Sequence, residues 1–158
     1  GVRLVQLRAK SLSNLQLRDL AWRCDSLASS RGVRLLLNGP AAFATELGLP
    51  GLHLTSAALM AAEHRPLPGS SLVGASCHSA VELAQAERIG VDFACLSPVK
   101  PTRGYQSDAV LGMDGFARLV AATRIPVYAL GGMEGTDLEA VVQAGGQGIA
   151  GISAFWRT

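Results

Sequence analysis

The chain has 158 residues, of which 49% are hydrophobic and 16% charged, and its formal net charge is +2. This length fits one domain with a sizeable core, and the small net charge gives no general electrostatic reason to expect nucleic-acid binding. No apolar run reaches the length of a membrane span and no signal peptide is visible, so we expect a cytoplasmic protein that binds no membrane.

Apolar runs alternate with helical patterns along the whole chain. The predicted strands are Val2–Arg8, Val33–Leu37, Leu52–Leu54, Leu72–Cys77, Phe93–Ser97, Pro126–Leu130 and Gly148–Ile152. The predicted helices are Leu15–Ala28, Ala41–Leu47, Ser56–Ala62, Ala80–Ile89, Gly115–Ala122 and Thr136–Ala144. Regular alternation of strand and helix is typical of a parallel sheet with helices outside it.

Such a sheet has two common forms. An open doubly wound sheet usually has a G-x-G-x-x-G fingerprint after a strand, and no such fingerprint follows a strand here. A TIM-type (β/α) barrel needs eight strands, whereas seven are predicted. We therefore predict a single α/β domain over residues 1–158, an incomplete barrel with a gap between its first and last strands. Because open strand edges invite pairing, we also predict self-association as a homo-oligomer or reduced stability.

The first strand carries an unusual polar row. Successive side chains of a strand point to opposite faces, so Gln6, Arg8 and Lys10 share one face while apolar residues share the other. Buried unpaired charges are costly, and an anionic phosphate or pyrophosphate suits an arginine and a lysine well. An edge strand with a solvated face is the alternative interpretation.

Glycines and polar residues follow the last two predicted strands. Gly131 and Gly132 come after the sixth strand, and Ile152 and Ser153 end the seventh. Paired glycines let a phosphate approach backbone N–H groups without obstruction by a Cβ atom. The last two loops of (β/α) barrels commonly hold a phosphate. We therefore predict an anion site there, which the basic residues of the first strand also face.

The fourth strand offers a candidate proton carrier. Ser76 and His78 share one face, and an imidazole can transfer protons near neutral pH. A histidine at a strand end that is merely bonded to the backbone is the alternative. Cys77 faces the opposite way, so it cannot form a nucleophile–base pair with His78. For His53, inside a short strand, we favour a structural role.

Other polar residues at strand ends complete the candidate ligand site. They are Asn38 after the second strand, and Ser97 and Thr102 after the fifth. The three cysteines lack metal-ligand spacing and are interpreted as reduced thiols. No metal site is predicted from these residues.

Seven segments in order carry a more specific pattern. They cover residues 5–10 (VQLRAK), 36–38 (LLN), 51–54 (GLHL), 74–79 (GASCHS), 96–102 (LSPVKPT), 129–133 (ALGGM) and 148–154 (GIAGISA). Together they resemble the thiamine phosphate synthase and TenI-like thiazole tautomerase superfamily. The resemblance implies a (β/α) barrel that binds a thiazole phosphate or a pyrophosphate and whose first strand and helix are absent here. It also implies a covalently fused N-terminal Nudix hydrolase domain.

The two branches of this superfamily imply different chemistry. The synthase branch transfers an aminopyrimidine from its pyrophosphate, which Gln6, Arg8 and Lys10 would hold, and it uses Mg²⁺ bound by carboxylates. At the corresponding positions this chain has Gly39 and the segment 55–58, with no acid. The synthase branch also has a threonine and a lysine where Gly104 and Tyr105 stand here.

The tautomerase branch needs no metal, and its acid–base histidine corresponds to His78. A single histidine can shift a proton, whereas losing pyrophosphate without Mg²⁺ is harder. We therefore favour a domain that binds a phosphorylated thiazole and tautomerises it without a cofactor. A thiamine phosphate synthase, which would use Mg²⁺, is the first alternative. A non-catalytic binding module of a Nudix fusion is the second.

Overall fold

The computed structural model describes residues 1–102, 110–152 and 154–155. Its strands are β1 (Leu4–Leu7), β2 (Arg34–Leu37), β3 (Gly51–Leu54), β4 (Leu72–Cys77), β5 (Phe93–Leu96), β6 (Val127–Ala129) and β7 (Gly148–Ile149). Its helices are α1 (Asn14–Ser29), α2 (Ala41–Glu46), α3 (Ser56–Ala61), α4 (Ala80–Ile89), α5 (Gly112–Ala121) and α6 (Leu138–Gln143). A 3-10 turn over Gly135–Asp137 leads into α6. Within these described ranges, no helix has both the length and the apolar character needed to cross a membrane.

The strands form one parallel sheet in the order β1-β2-β3-β4-β5-β6-β7. Leu4 of β1 lies opposite Arg34 of β2, and Tyr128 of β6 lies opposite Gly148 of β7. Within the described chain, β1 bonds only to β2 and β7 only to β6, so the sheet curls without closing. The predicted fold class, an incomplete TIM-type barrel with a gap between its first and last strands, is confirmed.

Local signals explain why α4 has the predicted bounds. The Ser79 side chain accepts a hydrogen bond from Glu82 N at the start of α4, and Gly90 ends the helix with a left-handed φ of 72°. A serine cap and a left-handed glycine are strong helix boundary signals. The fourth strand, Leu72–Cys77, also matches its prediction.

Most elements differ from the sequence prediction by a residue or two at an end, and the largest differences are at the start of α5 and the end of β7. Helix α5 begins at Gly112 rather than Gly115, where the Leu111 and Gly112 N–H groups donate to the carbonyls of Pro98 and Val99. Strand β7 ends at Ile149 rather than Ile152. Within the described residues, the last backbone hydrogen bond from the end of β7 to β6 is that from the Ala150 N–H to Ala129 O, whereas the Leu130 N–H donates to Leu96 O of β5.

Apolar side chains pack on both faces of the sheet. The larger cluster joins the outer face to the helices and includes the fully buried Phe116, Leu52 and Val127. A smaller inner cluster is built on Leu36, Phe93 and Cys95. The strands therefore bury both faces near their middles, and polar side chains face the interior at the carboxyl ends.

Exposed large apolar residues concentrate near the two open edges. Eight of the ten found in the described chain lie in or beside the first and last elements: Val2, Leu15, Trp22, Leu27, Leu138, Val142, Ile152 and Phe155. Unpaired strand edges with apolar neighbours favour association with other chains. The predicted self-association remains a prediction that this distribution supports.

We expect the isolated 158-residue chain to self-associate through these edges. In sedimentation velocity, its sedimentation coefficient should rise with protein concentration, and Val2→Lys should weaken that rise because edge charges oppose strand pairing. Val81→Lys is the matched control, since Val81 is also exposed but lies on α4, away from both edges. A chain that stays monomeric at all concentrations, or an equal effect of both variants, would contradict this expectation.

Candidate active site

The polar row of β1 has the predicted orientation. Gln6, Arg8 and Lys10 are exposed, whereas Leu7 and Ala9 pack against the helix-facing core. Arg8 acts electrostatically on the imidazole of His53, which lies inside the curled sheet. The basic row therefore faces the interior side of the barrel at the carboxyl ends of the strands.

His53 and Ser76 form a polar pair inside this mouth. The His53 side chain is only 3% exposed, and its Nε2 lies 3.0 Å from Ser76 Oγ. Burial and then the positive charge of Arg8 lower the pKa of His53 from 6.5 to about 4. The imidazole is therefore neutral at physiological pH and serves as a fixed hydrogen-bond partner for Ser76. This agrees with the structural role expected for His53 and adds the contact with Ser76.

His78 is held from two sides at the end of β4. Its Nδ1 donates to the carbonyl oxygen of Ser97 at 2.7 Å and lies 3.3 Å from Ser97 Oγ. Its backbone N–H donates to the carboxylate of Glu82, which also accepts from the Ser56 hydroxyl. Donation from Nδ1 to a carbonyl places the lone pair of the neutral ring on Nε2. The bond to the backbone is the contact expected for a structural histidine, and it also fixes the tautomer that a proton carrier needs.

The remaining candidates at the first five strand ends occupy the same rim. The Asn38 backbone N–H donates to Leu7 O at 2.8 Å, which places Asn38 beside Arg8 in the ladder. Ser97 is 4% exposed and Thr102 is half-buried. Gly104 and Tyr105 lie outside the described residues.

The paired glycines after β6 lie against the chain after β5. Gly131 and Gly132 have φ values of 93° and 65°. A Cβ at Gly131 would lie 2.9 Å from Pro98 Cα, and one at Gly132 would lie 2.7 Å from Pro101 O. Both positive φ and close backbone approach therefore require glycine at these positions.

Unused backbone donors follow this contact. The N–H groups of Gly131, Gly132 and Met133 donate to no acceptor in the described chain. Such consecutive N–H groups can surround an anion. The predicted Ile152 lies just beyond β7 with its side chain 83% exposed, and Ser153 lies outside the described residues. The described part of the predicted anion site is thus the glycine pair and the chain around Ile152.

An ion pair beside the glycines was not among the predicted site residues. Lys100 Nζ lies 2.6 Å from Asp137 Oδ1, which joins the chain after β5 to the 3-10 turn before α6. Hydrogen bonds from Lys100 and from the Glu134 backbone N–H lower the pKa of Asp137 below its usual value. Sequence showed both charges, but their separation of 37 positions gave no signal that they pair.

Two cysteines near the site are chemically shielded. Cys77 belongs to the helix-facing cluster, as its strand position predicted, while Cys95 belongs to the inner cluster. Burial raises the pKa of each thiol from 9.0 to about 12. Neither thiol is therefore a nucleophile near neutral pH.

The neutral state of His53 predicts a pH-dependent stability. Because its folded pKa of about 4 lies below the ordinary 6.5, the unfolded chain takes up the proton first, and stability falls as pH drops through this interval. Between pH 7 and pH 4, the protein should lose on the order of 3 kcal/mol more unfolding free energy than His53→Gln, measured by urea denaturation. The exposed His64, replaced in His64→Gln, provides the control. Equal pH profiles for all three proteins would refute the assignment.

Comparisons with known proteins agree with this architecture. Residues 1–155 match the sequence model of the TMP-TENI family, described as thiamine monophosphate synthase. A Geobacter sulfurreducens protein is 38% identical over 157 residues, covering 98% of this chain and 74% of that protein.

A protein named thiamine-phosphate synthase, from Azorhizobium caulinodans, is 34% identical over 158 residues, covering 98% of this chain and 74% of the relative. The solved thiamine phosphate pyrophosphorylase from Pyrococcus furiosus superposes with a TM-score of 0.75 at 24% identity, over 96% of this chain and 73% of that one, and shows the fold alone. The chain therefore belongs to the thiamine monophosphate synthase family.

Proposed function

We propose that this domain works as a thiamine-phosphate synthase, which transfers an aminopyrimidine from its pyrophosphate to a thiazole phosphate. The observation that carries the proposal is the 34% identity to a named thiamine-phosphate synthase over nearly the whole chain. The exposed basic row at the mouth supports it, because a pyrophosphate needs positive partners. This choice differs from the tautomerase favoured by sequence, since the relatives carry the synthase name.

The residues of the mouth have separate tasks in this proposal. Arg8 and Lys10 offset the charge that builds on the pyrophosphate as it leaves, and the Gln6 amide donates a further hydrogen bond. The N–H groups of Gly131 and Gly132 bind the phosphate of the thiazole. Ser76 is held by His53 at 3.0 Å and supplies a hydroxyl at the carboxyl end of β4.

The donor set does not fit a Mg²⁺ ion held by the protein. Mg²⁺ prefers carboxylate oxygens, but Gly39 and the segment 55–58, which has no acid, stand where the resemblance implies carboxylates. Glu82, which lies at this end of the sheet, already accepts bonds from Ser56 and from the His78 backbone. Within the described ranges, no three His, Cys, Asp or Glu side chains cluster as metal ligands. No residue here is assigned to Mg²⁺.

A thiazole tautomerase is the second candidate, and the tautomer of His78 is the observation that favours it. The 2.7 Å bond from Nδ1 to Ser97 O leaves Nε2 as the basic nitrogen. Such a base can remove a proton from one ring position and return it to another, with no change in composition and no metal. A non-catalytic binding module beside a fused Nudix hydrolase domain remains the third interpretation, and that fusion stays a prediction.

Replacing Gly132 should weaken phosphate binding. In Gly132→Val, the side chain meets Pro101 O and the φ of 65° becomes strained, so the loop must move. We expect affinity for inorganic pyrophosphate, measured by calorimetry, to fall about tenfold or more, which corresponds to about 1.4 kcal/mol. Gly135→Val is the matched control, because a Cβ at Gly135 meets nothing within 4 Å. Unchanged affinity in Gly132→Val would remove the glycine pair from the site.

The two activities can be separated in one set of assays. The synthase proposal expects thiamine phosphate to form, and expects Arg8→Met and Lys10→Met each to lower its rate at least about tenfold. The tautomerase candidate expects ring isomerisation that His78→Asn lowers about 10²- to 10⁴-fold, with ligand affinity retained. Each assay is run with and without added Mg²⁺ and a chelator. Ligand binding without turnover in either assay would support the binding module and overturn both enzymes.

A further inference from the structure

We propose that the Lys100–Asp137 ion pair holds the Gly131–Gly132 backbone in the conformation that binds phosphate. Lys100 and Asp137 are then positioning residues that act through the glycine pair. This inference rests on the phosphate site of the proposed function and adds two residues to it. The contacts at both ends of the segment that contains these two glycines, called the glycine segment below, support the inference.

The first end of the segment is fixed by backbone contacts with the chain after β5. Val99 N–H donates to Leu130 O at 2.9 Å, and Lys100 N–H donates to Gly131 O at 3.0 Å. The Lys100 side chain starts against the glycines, since a Cβ built on Gly132 would lie 2.8 Å from Lys100 Cβ. The lysine stem therefore runs along the glycine segment before its ammonium reaches Asp137.

The second end is fixed by the two oxygens of one carboxylate. Asp137 Oδ1 accepts from Lys100 Nζ at 2.6 Å, and Oδ2 accepts from the Glu134 backbone N–H at 2.9 Å. The Asp137 side chain is 16% exposed and the Lys100 side chain 42% exposed, so the pair is only partly open to solvent. The unused N–H groups of Gly132 and Met133 lie between the two fixed ends.

Charge balance gives the pair a second consequence. An unpaired Asp137 carboxylate on this segment would repel a phosphate bound at these N–H groups, because like charges repel each other. The Lys100 ammonium offsets that charge. Losing Lys100 alone should therefore weaken phosphate binding more than losing both partners.

The test measures pyrophosphate binding by calorimetry on the full 158-residue chain. We expect Lys100→Met to weaken affinity about tenfold and Asp137→Asn by a smaller factor. The double variant should bind like Asp137→Asn rather than showing the product of both losses. Lys100→Arg should restore most of the affinity, because arginine can still bond to Asp137. The loss of pyrophosphate affinity in these variants should be larger than a loss of folded protein would explain.

Arg65→Met is the control for a merely structural role. Arg65 pairs with Asp92 at the same 2.6 Å, and Asp92 also accepts from the Val73 N–H at the amino ends of β4 and β5. This variant should lower the melting temperature at least as much as Lys100→Met and leave pyrophosphate affinity unchanged.

The outcomes separate the ion pair from the site on which it depends. Unchanged or tighter binding in Asp137→Asn, with loss only in Lys100→Met, would mean that Lys100 contacts the anion directly, and would overturn the positioning role. Loss in Gly132→Val with normal binding in both ion-pair variants would overturn it too, while keeping the phosphate site. A parent protein that binds no pyrophosphate would refute the proposed function and this inference together.

Discussion

The packing of Phe93 against Gly74 sets the shape of the barrel interior. A Cβ on Gly74 would lie 2.4 Å from the Phe93 ring and 2.8 Å from His53 Nδ1, so no larger residue fits there. The ring also contacts Tyr128 edge-on, with centroids 5.6 Å apart. Apolar side chains fill the inner face at this level, and polar side chains lie nearer to the carboxyl ends of the strands. His53 lies at the level of Gly74 and Phe93, and Ser76, the next residue of β4 on the same face, bonds to it from the side of the carboxyl ends.

A second constraint is the close approach of the chains that follow β5 and β6. Backbone hydrogen bonds run from Val99 and Lys100 to the segment after β6, and the same β5 segment receives bonds from Leu111 and Gly112. One stretch of chain thus fixes the start of α5 and the glycine pair together.

Local chemistry made much of the fold predictable. The bounds of β4 and α4 follow from Ser79 and Gly90, which act within a few residues, and the facing of Arg8 and Lys10 follows from the two-residue period of a strand. The start of α5 was missed because its first N–H groups donate to the carbonyls of Pro98 and Val99, which are distant in sequence. For the site, alternation placed Ser76 and His78 on one face, but it could not show that His53 is buried beside Ser76. The partners Lys100 and Asp137 were visible as charges, and only the folded chain pairs them.

The placement of the cysteines has a practical consequence for chemical labelling. Cys77 and Cys95 are buried on opposite faces of neighbouring strands, and burial raises the pKa of both thiols to about 12. Cys24, on α1, is partly exposed. Thiol-alkylating reagents therefore meet a single accessible thiol in a chain that has three cysteines. A fluorophore attached there reports from the helix beside the open edge of the sheet, with the natural sequence left intact.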